Sequence, residues 1–220
     1  MKRALSIVLL LACMNAEARS IELINCDDHM RNDHISLACN MYWEANTQGV
    51  EGMLAVATVT LERQQNSEYP NTIAEVVWEQ RRVHGKIRAQ FSWTRDGKRD
   101  APTIFGRKIW ELSMSLARMF SMPSKLKDEV CPEIAATERM WDILEARGMS
   151  VKRHEVFCRS YDSTMKSKLA ILREMTPVAG ALFYHATYVN PYWSKRLVAA
   201  GWETIQVRDH IFYQKEDFNP

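Results

Sequence analysis

The chain has 220 residues, 46% of them hydrophobic and 25% charged, with 8 Gly and 7 Pro, so it has the composition of a folded chain and not of a disordered one. Lys+Arg 29 against Asp+Glu 27 leaves a formal charge of +2, and an isoelectric point near 8.3 falls below the roughly 9 that marks a nucleic-acid footprint. Charge therefore points away from DNA and RNA, and the length fits one folded unit better than several.

The chain opens on Lys2 and Arg3, an apolar run from Ala4 to Met14, and Ala16-Glu17-Ala18. This order predicts a secretory signal peptide over residues 1–18, a mature chain over 19–220 and export to the periplasm or beyond the cell. The apolar run is too short to span a bilayer, which takes ~20 residues, and no later run approaches that length, so no stable membrane insertion is expected after cleavage. Leu10-Leu11-Ala12-Cys13 loosely matches a lipoprotein box, which keeps lipidation at Cys13 open. Cleavage after Ala18 leaves Cys26, Cys39, Cys131 and Cys158. An even number of cysteines in an oxidising compartment predicts two disulfides, and sequence proximity favours Cys26 with Cys39 and Cys131 with Cys158.

A helix is predicted from Ile35 to Glu44, with Asp33 or Ser36 as N-cap, and it stops before Asn46-Thr47-Gln48-Gly49. A second runs from Val50 to about Gln64. Its apolar residues cover nearly the whole circumference, which predicts a central, buried helix. Thr72-x-x-Glu75 reads as a capping box that opens a short helix and gives Glu75 a structural task. Residues 81–107 are basic and polar around Gln90-Phe91-Ser92-Trp93 and read as a long loop over a site. Further helices are predicted from Arg107 to Phe120 and near 134–147. Three strands are predicted after them, within 181–186, 204–207 and 210–214. A mainly helical N-terminal part with a small antiparallel sheet near the C-terminus makes the fold class α+β.

Glu44 stands out chemically, because it ends an apolar helix between Trp43 and a turn. Partial desolvation there raises a carboxyl pKa toward the range of a general acid. The competing reading is a solvated helix-end residue. Trp93, Tyr184, Tyr188, Tyr192 and Trp193 each adjoin a polar residue, which suits a saccharide cleft, although ordinary core packing explains such rings equally well. His185 and His210 form a candidate acid/base or metal pair without a third ligand, and no cysteine or histidine spacing indicates a metal site. A serine nucleophile lacks its G-x-S-x-G context.

The segments Met41-Tyr42-Trp43-Glu44-Ala45, Gly52, Ala55-Val56-Ala57, Arg63, Tyr69-Pro70, Val76-Val77, Gln90-Phe91-Ser92-Trp93, 180–193 and His210-Ile211-Phe212-Tyr213 together resemble the SleB-type cell-wall hydrolases, the spore-cortex-lytic enzyme family. The blocks stand in family order across about residues 37–214, and the stretch 123–175 reads as an insertion. The resemblance implies a single lysozyme-like domain related to lytic transglycosylases, acting on peptidoglycan glycan strands without metal or cofactor. It implies Glu44 as the catalytic acid. As substrate contacts it brings forward Tyr42, Gln90, Phe91, Ser92, Trp93, Tyr184, His185, Tyr188, Asn190, Trp193, His210 and Tyr213. Two departures from the family pattern are Asn46-Thr47-Gln48 after Ala45 and Glu62 before Arg63. A muramoyl-alanine amidase and a peptidoglycan-binding module without turnover are the alternative functions.

Overall fold

A computed structural model describes residues 24–83, 85–95, 100–101, 106–121 and 165–215. The expected signal segment, Cys13, the helix near 134–147 and the pairing of Cys131 with Cys158 lie outside the described residues. Helix and strand are mixed in the way expected, with helices in the N-terminal part and a three-stranded antiparallel sheet near the C-terminus.

A short strand β1 (Ile24–Asn25) pairs antiparallel with β4 (Asp100–Ala101) and runs into a 3-10 turn at Cys26–His29. Helix α1 (Asp33–Ala45) follows, capped by Asn32, whose side chain accepts from the Ile35 amide at 3.0 Å. Asn32 takes the cap because its backbone is extended, and such a cap contributes about 1 kcal/mol. The two residues expected to cap are used to tie α1 to its neighbours instead. Asp33 accepts from the Ala74 amide at 2.8 Å, and the Ser36 hydroxyl accepts from Trp78 Nε1 at 3.0 Å. Cys26 and Cys39 are bonded, as expected, joining the 3-10 turn to α1. Closing a loop of this length contributes about 3 kcal/mol, chiefly by restricting the unfolded chain.

Helix α2 (Gly49–Gln65) is buried at Val50 and from Gly52 through Arg63, which matches its all-round apolar pattern. Its threonines survive burial because Thr58 and Thr60 return their hydroxyls to the carbonyls of Leu54 and Val56, at 2.8 and 2.9 Å. Helix α3 (Ile73–Trp78) opens on the expected capping box: the Glu75 amide donates to Thr72 Oγ1 at 3.1 Å and the Thr72 hydroxyl to Glu75 Oε2 at 2.8 Å.

Residues 81–107 are not the long loop expected. Strands β2 (Gln80–Val83) and β3 (Lys86–Ala89) form an antiparallel hairpin whose turn includes Gly85 at φ 74°. Both faces of the hairpin are largely exposed, so no apolar alternation marks the strands in the sequence. A 3-10 turn at Ser92–Thr94 follows, and then α4 (Arg107–Ser121), which packs Trp110, Leu116 and Phe120 against α1. Helix α5 (Met165–Met175) leads into β5 (Phe183–Ala186), α6 (Ser194–Ala199), β6 (Trp202–Val207) and β7 (His210–Lys215), in sheet order β5-β7-β6. The main core lies among α1 to α5, to which α5 contributes Leu169 and Leu172. A second cluster of Ala55, Val59, Val178, Ala181, Val207 and Phe212 seats the sheet on α2.

Candidate active site

The last turn of α1 carries Glu44, half-buried, toward one face of the sheet. Side chains alternate along a strand. Tyr184 stands opposite Phe212 and Ala186 opposite His210, so Tyr184, Phe212 and His210 share the face turned to α1 and α2. The Tyr184 ring stacks on Phe212 at 5.2 Å and meets the His210 ring edge-on at 5.3 Å. Its hydroxyl donates to Glu44 Oε2 at 3.0 Å. Burial pushes the Tyr184 phenol well above its ordinary 10, and the Glu44 carboxylate pushes the same way against the opposing pull of Arg63. Tyr184 therefore keeps its proton near neutral pH and serves as a fixed donor to the carboxylate.

The turn after Glu44 is held from the opposite side of the sheet sequence. Gln48 donates to Asp209 Oδ2 at 3.1 Å and accepts from the Asp209 amide at 3.0 Å, while Arg208 pairs with Glu51 at 2.8 Å. Arg208 lies in the left-handed region at φ 53° to make this β6–β7 turn. A side chain at position 52 would collide with this corner, since a Cβ there would lie 2.2 Å from the Cβ of Gln48. Glycine at this position leaves room for the Gln48 cap over the first turn of α2, whereas Ala45 at the end of α1 would meet that Cβ at an ordinary 3.5 Å.

The end of α2 grips the chain entering β5. Glu62 accepts from Nε and Nη2 of Arg173, at 2.7 and 2.8 Å, and from the Gly180 amide at 2.8 Å. Arg63 donates through Nε to the Leu182 carbonyl at 2.9 Å. Two residues beyond that carbonyl stands Tyr184.

The residues singled out in the sequence fall into three places. Glu44, Tyr184 and His210 are together, with Phe91 behind Tyr184 at 6.3 Å. His185, Trp193 and Tyr213 lie on the other face of the sheet, because Phe183 and His185 alternate with Tyr184. There His185 Nε2 and the Tyr213 hydroxyl are 2.8 Å apart, and the Trp193 ring packs on both. Tyr42, Phe91 and Trp93 are core rings with at most 2% exposure, so none offers a face on which a sugar can stack. Trp93 is held there by its Nε1 donating to Asn40 at 2.9 Å, and Gln90 is engaged with Glu79 at 2.8 Å. Ser92, Tyr188 and Asn190 are exposed, Tyr188 at 87%. Gln48, Glu62 and Arg63 were not among the candidates, although two of them occupy the positions where the sequence departs from the family pattern. Charged residues inside the apolar stripe of α2 were the available signal. Among the described residues no group of three or more His, Cys, Asp and Glu side chains is placed to hold a metal ion, and no helix is long and apolar enough to cross a membrane.

Residues 47–127 match the family model described as Cell Wall Hydrolase. The resemblance to the SleB-type cell-wall hydrolases holds. The match supports a cell-wall hydrolase and makes peptidoglycan the substrate class that such a family implies. It spans α2, the 69–77 region and the Gln90-to-Trp93 segment, begins three residues after Glu44 and ends before the sheet that carries Tyr184. No curated protein and no solved structure matches the chain.

Proposed function

We propose that the chain is an exported peptidoglycan glycosidase, a lytic transglycosylase that cleaves the bond between N-acetylmuramic acid and N-acetylglucosamine with Glu44 as both acid and base. The observation that carries this reading is the half-buried Glu44 carboxyl accepting from the Tyr184 hydroxyl at 3.0 Å, a phenol whose pKa burial pushes well above its ordinary 10. Protonated Glu44 gives its proton to the departing N-acetylglucosamine oxygen as the muramoyl C1–O bond breaks. The C6 hydroxyl oxygen bonds to C1 and closes a 1,6-anhydro ring, and its proton returns to Glu44. Between the two transfers Tyr184 hydrogen-bonds the carboxylate and steadies it.

A hydrolase would set a second carboxylate about 5 to 9.5 Å away to serve as nucleophile or to activate water. The acidic residues on α2 and α3 have other work: Glu51 pairs with Arg208, Glu62 with Arg173 and Glu75 with Thr72. This favours the route in which the substrate supplies its own nucleophile. Substrate contacts are assigned to side chains with an accessible face, Ser92, Tyr188 and Asn190, beside Tyr184. Export rests on the basic and apolar start with its A-x-A site, and the Cys26–Cys39 bond suits an oxidising compartment.

Digestion of purified peptidoglycan followed by mass spectrometry tests the reading. Muropeptides one water lighter than hydrolysis products, carrying anhydro ends and formed equally in the presence of a chelator, are expected. Reducing ends would make the enzyme a hydrolase, and cleavage at the stem peptide that stops on chelation would make it an amidase.

A further inference from the structure

Arg63 is 4% exposed, and its guanidinium lies over two rings, 5.1 Å from the centroid of Phe91 and 5.4 Å from that of Tyr69. Its Nε is bonded to the Leu182 carbonyl, whereas its Nη1 is buried without a hydrogen-bond partner. A charge taken out of water with a donor unused needs compensation from nearby negative charge. Burial lowers the Arg63 pKa, and Tyr69, Tyr184, Glu79 and Glu44 act against that shift. Glu79 is already engaged by Arg81 at 2.6 Å and by Gln90 at 2.8 Å. Glu44 acts in the same direction, the least of the four, and it is tied to Arg63 in space through Phe91, whose ring lies 5.1 Å from the guanidinium and 6.3 Å from the ring of Tyr184, the donor to Glu44.

The buried Nη1 has no accessible surface, so it makes no contact with substrate. We propose that Arg63 is a positioning residue for Glu44: its fixed cation favours the carboxylate that remains after proton donation, and its bond to Leu182 places the Tyr184 hydroxyl against that carboxylate. Glu62, its neighbour, reinforces the second task by holding the Gly180 amide two residues upstream. The groups in this field are Tyr184 on β5, Arg63 on α2 and, behind the tyrosine, His210 on β7, with Tyr69 and Glu79 facing Arg63. The catalytic part of this inference rests on Glu44 being the acid.

Carbon-13 NMR of the Glu44 carboxyl in the full chain tests it. Arg63→Gln removes the cation and should raise the titration midpoint by about one pH unit. Arg63→Lys keeps the charge and should leave the midpoint near wild type. The alkaline limb of peptidoglycan clearing should move upward with the midpoint in Arg63→Gln, because protonated Glu44 then persists to higher pH. An unchanged midpoint in a folded Arg63→Gln protein overturns the inference. Should that variant fail to fold, the wild-type protein decides. Its Arg63 side-chain nitrogen resonances should shift with the Glu44 midpoint and lose that transition in Glu44→Gln, and resonances indifferent to Glu44 overturn the inference. The titrations need no turnover. An active Glu44→Gln protein would therefore sink the proposed mechanism, whereas indifferent titrations with an inactive Glu44→Gln would sink only the role of Arg63.

Discussion

The Tyr184 hydroxyl and Glu44 Oε2 meet at 3.0 Å across 140 residues of sequence. A hydrogen bond to a charged group contributes about 1.5 to 3 kcal/mol, and Tyr184→Phe removes it while keeping the stack on Phe212 at 5.2 Å. The fold should lose stability of that order, lowering the thermal midpoint by several degrees, and turnover of peptidoglycan by the folded variant should fall about 10- to 100-fold. A phenylalanine variant with the wild-type rate would show that the hydroxyl does not support Glu44.

His210 gives the fold a pH dependence. Burial lowers its pKa from the ordinary 6.5, with Asp209 opposing and His185 adding to the shift. An unfolded histidine takes up a proton as pH falls through 6.5, while His210 resists, so the unfolded chain binds more protons there. The stability contributed by neutral His210 is complete above 6.5 and is lost as pH falls from that value through its own lower one. Urea midpoints at about pH 7.5 and about pH 5 should differ more in the wild type than in His210→Gln. Equal differences would remove His210 as the cause.

Much of this was legible in the chain. The all-round apolar pattern of α2, the Thr72 and Glu75 capping box and the three C-terminal strands follow from local rules of periodicity and capping, and those rules applied. The β2–β3 hairpin escaped because neither of its faces is buried, so it lacks the alternation by which strands are recognised. Glu44 was legible as a carboxyl at a helix end, but its partner Tyr184 was legible only as one aromatic in a block. Which rings of that block share a face depends on the register with β7, and a one-residue slip would exchange them. The choice between cleft and core for Trp93 stays open in the sequence for a related reason: its Asn40 partner lies 53 residues away.

The Gln48 cap folded over the first turn of α2 should make position 52 intolerant. A Cβ at 2.2 Å from the Cβ of Gln48 cannot be relieved by moving the tip of a side chain, so the Gln48 cap or the first turn of α2 must shift. Gly52→Ala should cost about 1 to 3 kcal/mol and free Gln48 from Asp209, although alanine is ordinarily the better helix former. Chemical denaturation checks this, and a variant as stable as wild type would mean that the corner yields freely.

Trp193 and Tyr188 should separate stability from binding. Trp193 packs on Phe183, His185 and Tyr213 with ring centroids 5.4 to 5.8 Å away, and half-buried as it is, Trp193→Ala should cost about 2 to 3 kcal/mol. Tyr188 is 87% exposed, so Tyr188→Ala should change stability by less than about 0.5 kcal/mol yet weaken retention on insoluble peptidoglycan. Thermal melts beside wall pull-down distinguish these effects. Normal retention by Tyr188→Ala would move the substrate path away from that loop.

Glu44→Gln is the most direct measurement of the central claim, because it keeps the shape of the side chain and removes its transferable proton. Removing a general acid costs roughly 100-fold or more in rate, and the amide can still accept from the Tyr184 hydroxyl, so the fold should persist. The expected result is loss of peptidoglycan clearing by at least about 100-fold with a thermal midpoint unchanged. Clearing at more than about a tenth of the wild-type rate in a folded Glu44→Gln protein would contradict the account and make Glu44 a structural residue.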